Sequence, residues 1–192
     1  GLATFIGGIH PYEGKELSED KPIQFIVPEK GEEMVYPLSQ HIGAPAKPLV
    51  AKGDQVLKGQ IIAEAGGFIS ANVLSSVSGT VKGIEPRLVA NGAMVQSIIV
   101  ENDGEENAIE GFGNARDYTK LSKEEIRNII KEAGIVGLGG AGFPTHVKLT
   151  PKDEAAIDHV IVNGAECEPY LTSDYRRMME EPEKIAEGLR II

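Results

Sequence analysis

The N-terminal half of the chain alternates between short apolar runs and clusters of turn-forming residues. Glycine and proline separate these runs, so the pattern is typical of short β-strands rather than of helices. The predicted strands are Ile23–Pro28, Leu49–Lys52, Val56–Leu57, Ile61–Glu64, Gly79–Ile84 and Ser97–Glu101. Strands at this spacing predict a small all-β sandwich or barrel over residues 1–101.

The pattern changes after a polar, acidic stretch at residues 102–116, which we interpret as a linker. Ser122 and Glu125 then have the spacing of a capping box, and apolar residues recur at helical spacing until Gly134. This pattern predicts an amphipathic helix at the start of a second domain, which covers residues 117–192. The chain is therefore predicted to be an α+β protein of two domains.

Three further elements are predicted in the second domain. The run His159–Asn163 predicts a buried strand, a short helix is expected near Thr145–Leu149, and Pro182 opens a helix that reaches Ile192. Because this last helix stops in mid-pattern, we expect the domain to continue beyond Ile192.

Charge and composition narrow the range of functions. The chain carries 19 Lys and Arg against 29 Asp and Glu, a formal net charge of −10, which argues against nucleic acid or an anionic membrane as a partner. The single cysteine, Cys167, cannot form an internal disulfide or supply the roughly four thiolates of an iron–sulfur cluster. It lies between two glutamates, which disfavour a reactive thiolate.

Two further absences shape the expectations. No apolar run approaches the ~20 residues of a membrane span, and the N-terminus lacks the features of a signal peptide, so we expect a cytosolic chain. The four histidines have no metal-ligand spacing. We assign no metal site and no catalytic residue.

A glycine-rich segment follows the first predicted helix, with Gly134, Gly137, Gly139, Gly140 and Gly142 close together. Glycine lets successive N–H groups approach an anion or a flat ring, and the N-terminus of a following helix would add partial positive charge. The segment matches neither the P-loop nor the dinucleotide-binding fingerprint. Its spacing alone leaves cofactor binding and tight packing equally open.

A second polar cluster, Asn163–Pro169, follows the predicted strand. Ligands of open α/β sheets gather at the carboxyl ends of strands. An asparagine such as Asn163 can both donate to and accept from a ring edge, a carboxylate such as Glu166 or Glu168 can bind ribose hydroxyls, and Lys148 can supply a cation for a ring or phosphate. This combination suits a flavin or a nucleotide.

Several long motifs in the chain resemble known protein families. Gly137–Thr145, with Lys148, Asn163 and Glu166–Pro169, resembles the flavin- and NADH-binding segment of the complex I flavoprotein subunit. Motifs of the N-terminal half are similar, in the same order, to the RnfC family, whose members are subunits of Rnf electron-transport complexes; these motifs are Gly7–Pro11, Pro37–Pro45, Gly53–Gln60 and Ser75–Thr80. The resemblance covers nearly the whole chain and implies the N-terminal part of such a subunit.

This resemblance implies a site for flavin mononucleotide (FMN) and NADH. The residues that it implies are Gly137, Gly139, Gly140, Gly142 and Phe143 around the flavin, Lys148 on the flavin mononucleotide, Asn163 at the ring, and Glu166 and Glu168 on the flavin and nicotinamide side. Ala165 stands where the complex I pattern has an aspartate, so one contact is missing. Later flavin-contacting segments and 4Fe-4S clusters are expected only beyond Ile192.

The resemblance also implies a function. Such a subunit belongs to an ion-translocating ferredoxin:NAD oxidoreductase and passes electrons between NAD(H), FMN and iron–sulfur centres. Its partners would be NADH, the other subunits of a membrane complex and, indirectly, ferredoxin, and it would lie peripherally on the cytoplasmic side of the membrane. This fragment alone is expected to be inactive. Two alternatives stay open: a related flavin-dependent cobalamin reductase, and a non-catalytic docking module whose glycines only pack.

The N-terminal domain further resembles the barrel-sandwich hybrid of biotinyl and lipoyl carriers, through Val50–Gln60 and Val77–Lys82. Those carriers hold a lysine at a hairpin tip, where this chain has Phe68. We therefore expect a structural or docking role for the domain rather than a swinging arm.

Overall fold

The computed structural model describes residues 7–9, 11–138 and 140–192 of the chain. The described residues divide into two compact units. The larger unit is Val27–Ala156, and the smaller one consists of Ile157–Ile192 with the described part of Gly1–Ile26.

The larger unit contains two antiparallel sheets followed by helices. Its strands are β1 (Glu33–Pro37), β2 (Lys47–Pro48), β3 (Gln55–Val56), β4 (Ile61–Glu64), β5 (Val73–Leu74), β6 (Gly79–Leu88) and β7 (Met94–Asn102). One sheet has the order β1-β7-β6-β3 and the other the order β2-β4-β5. Helix α1 (Lys123–Glu132), helix α2 (Thr145–Lys148) and two single-turn 3-10 helices, Tyr118–Lys120 and Glu154–Ala156, follow.

The core of the larger unit lies between the two sheets. Buried side chains of both sheets form one apolar cluster; its strand residues include Tyr36, Val56, Ile62, Ala63, Val73, Val81, Ile98 and Val100. Strand β7 pairs on one side with β1 and on the other with β6, and its run from Ile98 to Val100 is fully buried. A continuous apolar run is what a central strand buried on both faces requires.

The predicted strands are confirmed where a neighbouring strand is available. Ile61–Glu64 is β4, and the predictions at 79–84 and 97–101 lie within the longer β6 and β7. The prediction for Val56–Leu57 is displaced by one residue from β3, and the one for Leu49–Lys52 is wrong because the chain pairs at β2 just before it.

The prediction of a strand at Ile23–Pro28 is also wrong. This segment is extended, but it pairs with no strand among the described residues, and Phe25 and Ile26 are 86% and 95% exposed. Strands β1 and β5 were not predicted, because β1 carries charge and proline at its ends and β5 is only a two-residue strand. Both owe their strand conformation to pairing partners that are distant in sequence.

Helix α1 is confirmed with the predicted capping box. The Ser122 hydroxyl accepts a hydrogen bond from the Glu125 N–H at 3.3 Å, and the Glu125 carboxylate accepts one from the Ser122 N–H at 2.7 Å. Gly134 ends the helical segment with φ of +63°. Local side-chain chemistry therefore sets both ends of this helix.

The acidic stretch predicted as a linker lies against the barrel. The Lys58 N–H donates to the Asn107 carbonyl at 2.9 Å, and the Ile109 N–H donates back to the Lys58 carbonyl at 3.0 Å. A Cβ atom on Gly59 would come within 2.5 Å of the Phe112 ring, so glycine allows this segment to pack closely. The domain boundaries at 101 and 117 stay predictions.

The smaller unit contains a 3-10 helix at Lys15–Leu17 and two α-helices, α3 (Ser173–Glu180) and α4 (Pro182–Ile191). Pro182 occupies the first turn of α4, as the sequence predicts. The prediction of a buried strand at His159–Asn163 is wrong: the segment is extended and Ile161 is 87% exposed. The described residues of this unit contain no strand with which it could pair.

Candidate functional site

The glycine loop, defined here as residues 137–143, is a closed turn between α1 and α2. The Gly137 N–H donates to the Phe143 carbonyl at 3.0 Å, and the Thr145 N–H donates to the Ile135 carbonyl at 3.0 Å. A bridge between Val136 and Pro144 joins the two arms of the loop. The loop therefore has a fixed base, from which its central residues project.

Two glycines of this region are explained by packing against the barrel. Gly134 and Gly142 both have φ of +63°, which side chains rarely adopt. A Cβ atom on Gly134 would lie 2.5 Å from the Asn72 carbonyl oxygen, and one on Gly142 would lie 2.8 Å from the Gln40 carbonyl oxygen. These positions require glycine whether or not a ligand is bound.

Gly137 and Gly140 have no such explanation in the described residues. Both are exposed, neither has a positive φ, and an added Cβ atom would meet nothing at Gly140 and only ordinary contacts from 3.6 Å at Gly137. Between them Leu138 is 96% exposed, and Gly139 lies outside the described residues. Bare backbone at an open position suits a ligand that approaches the peptide groups closely.

Phe143 and Lys148 follow the loop on the same unit. Phe143 is 38% exposed, and Lys148 lies exposed at the end of α2. Among the described residues, none forms a hydrogen bond or ion pair with the Lys148 ammonium group. Helix α2 is only four residues long, so its dipole adds little, and Lys148 is the main positive charge that this element offers an anion.

The remaining predicted residues, Asn163, Glu166 and Glu168, lie in the smaller unit. One oxygen of Glu166 accepts hydrogen bonds from the N–H groups of Asp174 at 2.6 Å and Tyr175 at 3.2 Å, so this carboxylate caps helix α3. The Asn163 side-chain oxygen accepts from the Ala165 N–H at 3.0 Å, which leaves its amide group to donate.

Sequence reasoning missed Lys15, whose ammonium group donates to the carbonyl oxygens of Glu168 at 2.8 Å and Leu171 at 2.7 Å. It also missed Tyr170, which has a positive φ of 67° and whose ring covers Gly14 so closely that an added Cβ would come within 2.3 Å. These contacts hold the backbone of the loop that carries Glu168. No local pattern connects residues so far apart in sequence.

The predicted residues thus fall into two groups, one in each unit, and their union into one site stays a prediction. Another groove, of about 600 Å³, lies elsewhere in the larger unit, between Gly59–Ile61, residues 109–116 and the end of α1. None of the predicted site residues lines it.

Sites of two other kinds are absent from the part of the chain that the structure describes. It contains no group of three or more potential metal ligands close enough to hold an ion. It also contains no helix with the length and apolar character needed to cross a bilayer. Cys167 is a free, exposed thiol.

Comparison with known families agrees with this geometry. Residues 3–105 match the model of the RnfC barrel sandwich hybrid domain, and residues 130–192 match the model of the Nuo51 FMN-binding domain. The predicted fold class, a barrel-sandwich hybrid followed by an FMN-binding α/β segment, is thereby confirmed.

Curated relatives match over almost the whole chain. The RnfC subunit of the proton-translocating ferredoxin:NAD(+) oxidoreductase complex of Clostridium ljungdahlii is 46% identical over 192 residues, which are 100% of this chain and 41% of the relative. The corresponding subunit of the Na(+)-translocating complex of Acetobacterium woodii is 44% identical over 191 residues, which are 98% and 42% of the two chains.

A third relative, the corresponding subunit of an ion-translocating oxidoreductase complex of Rhodobacter capsulatus, is 42% identical over 189 residues, covering 97% of this chain and 36% of the relative. The chain spans about two fifths of the length of these relatives. They support the resemblance to Rnf subunits and not the alternative of a cobalamin reductase. With a family model matched by more than half of its residues, the chain belongs to the RnfC family.

Proposed function

We propose that this chain forms the FMN-binding part of an ion-translocating ferredoxin:NAD oxidoreductase. The observation that carries the proposal is the exposed backbone at Gly137 and Gly140, where neither φ nor packing calls for glycine. This backbone lies in the segment that matches an FMN-binding domain, and a bound flavin gives these two glycines a purpose.

The side chains of both groups fit the chemical groups of FMN. The N–H groups of the glycine loop and the exposed ammonium of Lys148 would hold the anionic phosphate. The free amide group of Asn163 would donate to the ring edge, and Phe143 would cover apolar ring surface. Gly142 would serve the flavin only indirectly, because the barrel already occupies the space beside its Cα.

The two carboxylates would have different roles. Glu168 is exposed and its loop is held by Lys15, so it would face the ribityl or nicotinamide side. Glu166 has one oxygen engaged at the start of α3 and can offer only the other. When bound, FMN supplies hydride and single-electron chemistry, while the residues of this chain bind and orient it.

The whole-protein activity follows from the names of the relatives. We propose NAD(H) as the hydride partner, with electrons passing onward through iron–sulfur clusters in a part of the protein beyond Ile192. Other subunits of the complex would hold the protein peripherally at the cytoplasmic side of the membrane, and ferredoxin would be an indirect partner. A docking module without flavin is the alternative that the experiment tests.

The test is an FMN titration by fluorescence and calorimetry. It uses the 192-residue chain and the same chain extended to the length of its relatives. In the extended chain, Lys148→Ala and Asn163→Ala should each weaken FMN binding about tenfold, since each removes a polar contact to the ligand. The matched control is Lys152→Ala, which removes another exposed lysine a few residues away.

The glycine backbone has its own matched pair. Gly140→Ala should weaken FMN binding, whereas Gly83→Ala should not, although both positions are open and neither has a positive φ. An extended chain that binds no FMN, or whose affinity is the same in all of these variants, would establish the docking module instead.

A further inference from the structure

The barrel holds a buried histidine whose two ring nitrogens are both bonded to backbone. His41 is 7% exposed and lies between β1 and β2. Its Nε2 atom accepts a hydrogen bond from the Ala71 N–H at 3.2 Å, so the ring proton is assigned to Nδ1, which donates to the Ile42 carbonyl at 3.1 Å. The ring therefore ties residues 41–42 to the chain segment that enters β5.

The residues next to His41 contact the glycine loop directly. The Ile42 N–H donates to the Ala141 carbonyl at 3.1 Å. At the next loop residue, a Cβ on Gly142 would lie 2.8 Å from the Gln40 carbonyl oxygen and 3.0 Å from the His41 Cα. The C-terminal arm of the loop thus rests on the backbone on either side of the histidine.

The segment on the other side of the ring supports the N-terminal end of the glycine-rich region. Asn72 follows Ala71, and its carbonyl oxygen would lie 2.5 Å from a Cβ on Gly134. The Asn72 side chain also donates to the Glu132 carbonyl, at 3.4 Å, at the end of α1. The bond between His41 and Ala71 consequently joins the two barrel segments that touch the two ends of the glycine-rich region.

The neighbouring hairpin is fixed to the same barrel loop. The Ala44 N–H donates to the Ile69 carbonyl at 3.0 Å, and the Ser70 hydroxyl donates to the Ala44 carbonyl at 2.8 Å. The tip near Phe68, where a carrier domain would present a mobile lysine, is therefore anchored beside its base. In this chain the anchored hairpin is part of the support of the glycine loop.

We propose that His41 is a positioning residue for the flavin site: it fixes Ile42 and Ala71 so that the barrel holds the glycine loop in the conformation that receives FMN. The effect on FMN rests on the proposed function, whereas the effect on the loop does not. His41 itself has no contact with the ligand in this proposal and acts only through the backbone of Ala141 and Gly142.

The test uses the extended chain with three variants. His41→Phe keeps a flat ring but removes both hydrogen bonds, and His41→Gln keeps an amide that can both donate and accept. Ser70→Ala is the matched control, because Ser70 is buried and hydrogen-bonded in the same hairpin, to Ala44 and Gly66. Hydrogen exchange of residues 137–143, FMN affinity and Tm are measured for each.

His41→Phe should speed amide exchange in the glycine loop and raise the Kd for FMN by about five- to tenfold, the equivalent of one to two lost hydrogen bonds. His41→Gln should recover part of both effects. Ser70→Ala should lower Tm but leave loop exchange and Kd within about twofold of the wild type. If His41→Phe does not fold, His41→Asn replaces it with the same expected pattern, since its shorter amide does not reach Ala71.

Equal loop exchange in His41→Phe and the wild type, or equal loosening of the loop by Ser70→Ala, would reduce His41 to a structural residue of the barrel and overturn the proposal. A wild-type extended chain that binds no FMN would overturn the proposed function instead. In that case the exchange rates alone still decide whether His41 positions the loop.

Discussion

Single residues of one short motif are glycine for different reasons. Gly134 and Gly142 combine a positive φ with close approach of barrel carbonyls, whereas Gly137 and Gly140 are open to solvent. The sequence presents these residues as one motif. Only their surroundings separate packing from ligand binding, and this separation predicts different consequences for the same substitution.

Gly142→Ala is expected to lower the free energy of unfolding by about 1–3 kcal/mol, because the alanine would hold a left-handed conformation and press on the Gln40 carbonyl. Gly140→Ala should leave the stability unchanged to within about 0.5 kcal/mol. Urea denaturation of both variants measures the difference. Equal stability of the two would contradict the close packing at Gly142.

At the scale of elements, helix α1 is specified by local chemistry and the strands are not. The hydrogen bonds of the Ser122 N–H, and secondarily of its hydroxyl, hold the pKa of the Glu125 carboxyl below its usual value. Because this pKa is lower in the folded chain than in the unfolded one, the carboxylate stabilises the fold at neutral pH. Its contribution is lost as the pH falls through the folded pKa.

Glu125→Gln isolates this effect, because glutamine retains an acceptor for the Ser122 N–H but does not titrate. The wild type should be more stable than the variant at neutral pH, and the difference should shrink below about pH 4.5. Chemical denaturation across this range is the measurement. A difference that stays constant with pH would show that the Glu125 charge does not stabilise α1.

At the scale of the whole molecule, the two units differ in how they bury apolar residues. In the larger unit, one core joins both sheets, and Ile62 and Ile98 at its centre are fully buried. In the smaller unit, the apolar run Val160–Val162 is more than half exposed. Hydrophobic residues of the same type therefore contribute unequally to stability.

Ile62→Ala is expected to lower the free energy of unfolding by about 2–5 kcal/mol, since it leaves a cavity between the sheets. Ile161→Ala should change it by less than about 0.5 kcal/mol, because the side chain is 87% exposed. Thermal and urea unfolding of the two variants test this. A large loss in Ile161→Ala would mean that the segment is buried in solution, as its sequence predicts.

The sequence by itself determined the features that depend on neighbours along the chain. The capping box of α1, Pro182 at the start of α4 and the apolar runs of β4, β6 and β7 were all predictable, because their causes lie within a few residues. The long motifs likewise identified the family, since motif order survives without any knowledge of contacts.

Only the tertiary structure decided which segments become strands and which glycines are free. Strand β1 forms because β7 lies beside it, whereas the equally apolar segments at 23–28 and 159–163 have no partner among the described residues. The separation of Gly142 from Gly140, and the place of His41 beneath the loop, depend on barrel backbone that is distant in sequence. The physical reason is that hydrogen-bond pairing and burial are relations between distant residues, which a local pattern does not contain.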